Sequence, residues 1–282
     1  MSNTRLRVAA VQMVSRAAVE PNLKDAAELI RAAAGEGGRL VALPEYFCLM
    51  GMQDSDKIAI REQDGNGPLQ DFLAAQAATH RIWLVGGTIP LASPAHDRVL
   101  NTVLVYDPSG RRAARYDKIH LFSFRRDGES YDESRTIWPG QLPCTFRLSD
   151  GPLSLDVGLS VCYDLRFPEL YRQMDGPDLI LVPSAFTATT GRAHWETLLR
   201  ARAVENLCYV LAPAQGGKHE NGRRTYGHSM LIDPWGLVLA QREEGPGIVV
   251  GEIDISRIVD CRQSLPALDH RVLRGGPTGR TL

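Results

Sequence analysis

Short apolar runs with strand character alternate with longer helical stretches along nearly the whole chain, and hairpins are inserted between them. Residues 6–13 read as a strand and residues 22–36 as an amphipathic helix with Asn22 at its cap. A strand at 40–43, a helix at 67–80 and strands at 82–90 and 99–106 follow, the last closed by the turn Asp107-Pro108-Ser109-Gly110. The second half resembles the first. A strand at 153–159 leads to Cys162, a helix starts at Pro168, and a strand at 179–182 precedes a helix at 193–207. Strands at 209–212, 228–232 and 247–253 complete the pattern. Alternation of this kind, with hairpins inserted, implies an α/β fold in which two sheets pack face to face under helices. No Ser/Gly-rich linker or composition break divides the chain, so residues 1–272 are expected to form one domain. Residues 273–282 lack apolar anchors and are expected to be a mobile tail.

At 282 residues a substantial core is easy to build, and 44% apolar with 23% charged residues is ordinary for a soluble globular protein. The net charge of −1 and the lack of a basic face argue against nucleic acid as a partner. Arg111-Arg112 and Arg223-Arg224 read as solvated pairs. The first residues run straight into a strand with no apolar signal region, and no segment has the length to span a bilayer. Five cysteines without a CxxC pair point to reduced thiols and a cytoplasmic setting. Seven scattered histidines without HExxH or HxH imply neither a metal site nor a cofactor.

The chemistry concentrates at Cys162. It lies between the strand 153–159 and the helix opened by Pro168, where unpaired backbone N–H groups favour a thiolate and the oxyanion that its attack creates. Most cysteines are small buried hydrophobes, and Cys48, Cys144, Cys208 and Cys261 are read that way. Two further groups stand out. Glu45 closes the apolar run Leu40-Val41-Ala42-Leu43-Pro44, and Lys118 leaves a strand within Arg115-Tyr116-Asp117-Lys118-Ile119-His120. Charged residues at strand ends are usually solvated, and spacing alone cannot bring these three together.

Three blocks, Leu43-Pro44-Glu45, Asp117-Lys118-Ile119-His120 and Val161-Cys162-Tyr163-Asp164, resemble the Glu, Lys and Cys signatures of the nitrilase, or carbon–nitrogen hydrolase, superfamily. Pro183-Ser184-Ala185-Phe186, Ala193-His194-Trp195-Glu196 and Tyr226-Gly227-His228-Ser229-Met230 with Asp233-Pro234-Trp235-Gly236 resemble its deaminated glutathione amidase branch, with the ω-amidases next. The resemblance implies a four-layer αββα sandwich, a homodimer or larger homo-oligomer, and no cofactor. It also implies hydrolysis of a small carboxylated amide through a cysteine thioester. Runner-up readings are an ω-amidase acting on α-ketoglutaramate, a true nitrilase, and, from a different class, a non-catalytic scaffold.

In the mechanism so implied, Cys162 attacks the carbonyl, Glu45 moves protons, and Lys118 with the Tyr163 N–H supports the oxyanion. A free thiol at about 8.5 giving its proton to a carboxylate at about 4.3 is uphill by roughly 5.7 kcal/mol. The Lys118 charge and nearby N–H groups are expected to narrow that gap by depressing Cys162. A second glutamate before Trp138-Pro139-Gly140 aligns to Glu133, with Glu129 competing, and its role would be orienting Lys118 or substrate. Arg166 offers a planar fork suited to a substrate carboxylate, or else an ion pair with Glu169. Tyr46, Phe186, Thr187 and Thr190 are candidate pocket-lining residues. Trp195 and Trp235 suit either core or interface. The Gly216-Gly217 pair stands where bulkier side chains would line a pocket, and the segment 124–135 has the length of a lid loop.

Overall fold

The computed structural model describes residues 4–126 and 128–273. The eight-stranded first sheet runs Gly247–Asp254, Arg5–Gln12, Leu40–Ala42, Trp83–Val85, Val99–Tyr106, Ile89–Ala92, with Arg112–Asp117 and Ile137–Trp138 also paired to Val99–Tyr106. The six-stranded second sheet runs Cys144–Asp150, Leu153–Leu159, Leu179–Leu181, Tyr209–Ala212, Ser229–Ile232, Val238–Arg242. Each sheet has three parallel strands at its heart and antiparallel pairings outside them, except that Ile137–Trp138 pairs parallel with Val99–Tyr106. The parallel strands end at Pro44-Glu45, at Cys162 and at Pro183-Ser184-Ala185, which gathers the chemistry at their carboxyl ends.

Side chains along a strand alternate between faces. Leu6, Val8 and Ala10 therefore enter one core with Leu155, Val157 and Leu159 of the second sheet. Ala9 and Val11 turn the other way, against Ile30 of helix Val19–Gly35 and Leu73 of helix Pro68–His80. Trp195, Leu199 and Ala203 of helix Ala188–Asn206 bury against the second sheet. Each large apolar side chain buried in this way contributes about 1.5–3 kcal/mol. The resulting order, helices, sheet, sheet, helices, is the four-layer αββα sandwich.

Several elements differ from their sequence reading. The first helix begins at Val19, so Asn22 lies inside it and does not cap it. Asn22 is buried; its Oδ1 accepts the Arg16 N–H at 2.7 Å, and its Nδ2 donates to the carbonyls of Arg16 (2.9 Å) and Cys48 (3.0 Å). The run 82–90 breaks at Gly86-Gly87-Thr88 into Trp83–Val85 and Ile89–Ala92. Strands Cys144–Asp150 and Val238–Arg242 and helix Ile255–Ser264 were not expected. Segment 124–135 belongs to a hairpin, Ser123–Arg126 with Glu129–Asp132, followed by a 3-10 turn Glu133–Arg135. Of the expected tail, residues 274–282 lie outside the described residues. No helix among the described residues is long and apolar enough to cross a membrane.

Candidate active site

Lys118 is the hub. It leaves strand Arg112–Asp117 with no solvent exposure, its N–H donating to Asn101 O at 3.0 Å and its carbonyl accepting the Gly140 N–H at 2.8 Å. A Cβ at Gly140 would stand 2.0 Å from Asp117 O, which is why the Pro-Gly corner needs glycine there. The Lys118 ammonium donates to Glu45 Oε1 at 2.8 Å and to both oxygens of Glu133, at 3.0 and 2.8 Å. Burial disfavours the charged amine, but the carboxylates of Glu133 and Glu45 outweigh it and hold Lys118 above its ordinary value. Burial alone would push Glu133 up, yet Lys118 and the Phe122 N–H keep it below the usual carboxylate range. Glu133 is thus the glutamate that reaches Lys118, while the competing Glu129 accepts a hydrogen bond from Thr189 at 2.9 Å.

Glu45 is fully enclosed. Its Oε1 also accepts from Asn101 Nδ2 at 2.9 Å, and its Oε2 accepts the Ala185 N–H at 2.9 Å. Gln215 holds its carbonyl at 3.0 Å. Tyr46 follows in the left-handed region (φ 58°), with its N–H on Thr88 Oγ1 at 2.9 Å and its hydroxyl donating to Glu133 Oε1 at 2.9 Å. Asn101 carried a legible signal, being the one amide in the fully buried strand Val99–Tyr106.

Cys162 also takes a left-handed backbone (φ 49°), a conformation that costs a non-glycine residue of order 1–3 kcal/mol. Its N–H donates to Pro183 O at 3.0 Å, and a 3-10 helix, Cys162–Arg166, intervenes before helix Pro168–Arg172. Buried Asp164 ties this turn to the lysine segment. Its Oδ2 accepts from the Val161 N–H (2.9 Å) and the Tyr116 hydroxyl (2.8 Å), and its Oδ1 from the His120 N–H (3.0 Å), with His120 Nδ1 at 2.7 Å. Since Tyr116 and His120 flank Lys118, one carboxylate locks the Cys162 turn and the lysine into a common frame.

The expected depression of Cys162 does not occur. Burial and then the Glu45 carboxylate push the thiol well above its ordinary value, against the pull of Lys118 and the Ala185 N–H. The lysine charge is already engaged by two carboxylates, Glu45 and Glu133. Cys48, Cys208 and Cys261 are buried free thiols as read, but Cys144 is half-buried.

Arg166 makes no ion pair with Glu169. Its Nη1 lies 3.2 Å from His194 Nδ1, and its guanidinium stands over the rings of Phe186 (5.4 Å) and Tyr163 (5.8 Å). Phe186 packs on Trp195, a core residue, whereas Trp235 is exposed. The hydroxyls of Thr187 and Thr190 bond each other at 2.9 Å, and Thr187 caps helix Ala188–Asn206, so both are turned to a structural use. Gly216 and Gly217 do not widen a pocket: a Cβ there would meet Gln12 at 2.8 Å and Val14 at 2.9 Å.

Four side chains at the site escaped the sequence reading. Besides Asn101 and Asp164 they are Lys57 and Arg223. Lys57 Nζ lies 5.3 Å over the Tyr46 ring and 3.3 Å from Thr136 Oγ1, and burial lowers its pKa. Arg223 is half-buried and not freely solvated; its Nη2 donates to Ala185 O at 2.8 Å and its guanidinium lies 5.1 Å from the Tyr131 ring centre. Among the described residues no group of three His, Cys, Asp or Glu side chains could hold a metal ion.

A buried carboxylate–ammonium–carboxylate cluster with a thiol in its field can move a proton and stabilise an oxyanion, the two needs of acyl transfer. Known proteins agree with that chemistry. A deaminated glutathione amidase of Synechocystis is 44% identical over 269 residues, covering 94% of this chain and 97% of the relative. That of Homo sapiens is 37% identical over 275 residues, covering 94% and 81%. The crystal structure of a branch 10 nitrilase-superfamily member from Saccharomyces cerevisiae superposes with a TM-score of 0.83 at 32% identity, covering 94% of this chain and 95% of that one. The carbon–nitrogen hydrolase family model matches residues 7–263, and the chain belongs to that family, as an amidase.

Proposed function

We propose that Cys162, Glu45 and Lys118 are the catalytic residues of a thiol amidase whose substrate is deaminated glutathione. The observation that carries this reading is the Lys118 ammonium, without solvent exposure, bridging Glu45 and Glu133 at 2.8 Å each beside the buried thiol. On substrate binding Glu45 takes the thiol proton as sulfur attacks the carbonyl. Because the thiol sits above its ordinary value, proton removal and attack are coupled. Lys118 and the Tyr163 N–H receive the oxyanion, and Glu133 with the Tyr46 hydroxyl positions Lys118. Glu45 then gives its proton to the leaving nitrogen, and water activated by the same carboxylate cleaves the thioester.

Arg166 receives the carboxylate of the acyl part, next to Phe186. In deaminated glutathione that part is a 2-oxo diacid, and the leaving group is the amine of cysteinylglycine. Residues 1–272 act as one catalytic domain in the cytoplasm. Two copies pair through the face that leaves Val204, Trp235 and Leu237 exposed.

The test follows 2-oxoglutarate release from deaminated glutathione and from α-ketoglutaramate, for the wild type and for Cys162→Ala. Preference for the first, abolished in the variant, is expected. Preference for the second would make the protein an ω-amidase with the same mechanism. Turnover that survives Cys162→Ala would overturn the reading.

A further inference from the structure

Three cations, Lys57, Lys118 and Arg223, lie around Tyr46, and among the described residues two carboxylates, buried Glu45 and half-buried Glu133, face them. Both carboxylates are committed to Lys118. Asp54, the further acid that acts on Lys57, is exposed. Arg223 makes no ion pair with any described residue within 4 Å, and its Nε is buried without a hydrogen-bond partner. Its remaining contacts are one backbone carbonyl, Ala185 O at 2.8 Å, and the Tyr131 ring at 5.1 Å. A half-buried guanidinium with an enclosed, unpartnered Nε and one carbonyl has donors to spare, and a carboxylate matches its fork.

Arg223 is also placed on a particular side of the reacting bond. Glu45 accepts the Ala185 N–H, and Arg223 donates to the carbonyl of that same residue. Glu45 is the group that hands a proton to the departing nitrogen, so the Arg223 fork lies by the path of the leaving group. Arg166 is held elsewhere, by His194 and the Tyr163 and Phe186 rings.

We propose that Arg223 binds a carboxylate carried by the leaving amine, making this an enzyme for amides with an acid group on each side of the scissile bond. The inference rests on the amide-hydrolysis reading above and deepens it. A primary amide would satisfy Arg166 alone, whereas an amide N-linked to a short peptide would satisfy both guanidiniums.

The test compares two amides of one acyl group, deaminated glutathione and α-ketoglutaramate, in the wild type, Arg223→Met and Arg223→Lys. Loss of a charged hydrogen bond predicts that kcat/KM for the peptide amide, divided by that for the primary amide, falls about 10- to 150-fold in Arg223→Met. The fall is expected mainly in KM, with part of the ratio restored by Arg223→Lys. An unchanged ratio, including an equal loss on both amides, would make Arg223 a latch on Ala185 and overturn the proposal. Should the wild type turn over neither amide, the proposed substrate fails but the anchor is still measurable. Glycylglycine should then protect Cys162 from iodoacetamide better than glycylglycine amide does, and Arg223→Met should abolish the difference. Equal protection by acid and amide in the wild type would sink the anchor itself.

Discussion

Replacing Asp164 with asparagine tests whether one buried carboxylate holds Cys162 and Lys118 in register. The four groups around it meet two oxygens: Val161 N–H and Tyr116 hydroxyl at Oδ2, His120 N–H and Nδ1 at Oδ1. Asparagine is isosteric but offers one oxygen and one NH2. Whichever way the amide turns, a backbone N–H, of Val161 or of His120, then faces a donor. The Tyr116 hydroxyl and the imidazole can adapt by rotating or changing tautomer; a backbone N–H cannot. Charge-assisted bonds are worth about 1.5–3 kcal/mol, and an unsatisfied buried donor costs about 1–3 kcal/mol more. Partial relaxation leaves a net loss of about 3–5 kcal/mol. For a chain of this size that is a fall of roughly 6–15 °C in Tm, read by a circular dichroism melt. Displacement of the Cys162 turn by even 1 Å should lower kcat by about 10²-fold at temperatures where the variant is folded. A melting point within 2 °C of the wild type would refute the reasoning, because four donors cannot lose their shared anion at no cost.

Glu133→Gln leaves Lys118 with Glu45 as its only carboxylate and weakens the tie to Tyr46; kcat is expected to fall about 10²-fold, and a variant within threefold of the wild type would refute the positioning role. Since burial and Glu45 hold the Cys162 thiol above its ordinary value, its alkylation by neutral iodoacetamide should keep rising past pH 9, and a plateau below pH 8 would contradict this. Lys118 is held above its ordinary value and stays charged throughout, so kcat/KM should show no alkaline loss up to about pH 9. Gly140→Ala drives a Cβ to 2.0 Å from Asp117 O, a backbone atom, and should cost about 1–3 kcal/mol together with activity. Gly35→Ala, with nothing within 4 Å, is the control and should leave the melting point unchanged or higher.

What the sequence disclosed and what it hid divide along a physical line. Glu45, Lys118 and Cys162 were legible because each follows a strand or strand-like run, and the resemblance supplied the long-range pairing that spacing could not. Glu133 was legible through the Pro-Gly corner, whose glycine the structure explains by the approach of Asp117 O. Asn22 was misread because a residue with good capping chemistry was instead recruited by a neighbouring segment, at Arg16 and Cys48. Arg223 was misread for the complementary reason. It sits in the polar run Lys218-His219-Glu220-Asn221-Gly222-Arg223-Arg224, where hydropathy predicts solvent for every residue. His219 is nevertheless buried, its Nδ1 donating to Ser15 O (2.9 Å) and its Nε2 2.8 Å from Thr225 Oγ1, which pins the loop back. Partial burial of a loop cation is a tertiary fact with no local periodicity to announce it. The depression expected at Cys162 failed on the same ground: sequence names the charges nearby but not how they are already spent. Lys118 is balanced by two carboxylates before substrate arrives. The proposed mechanism leaves the proton and the oxyanion to Glu45, Lys118 and Cys162, and the choice of amide to Arg166 and Arg223.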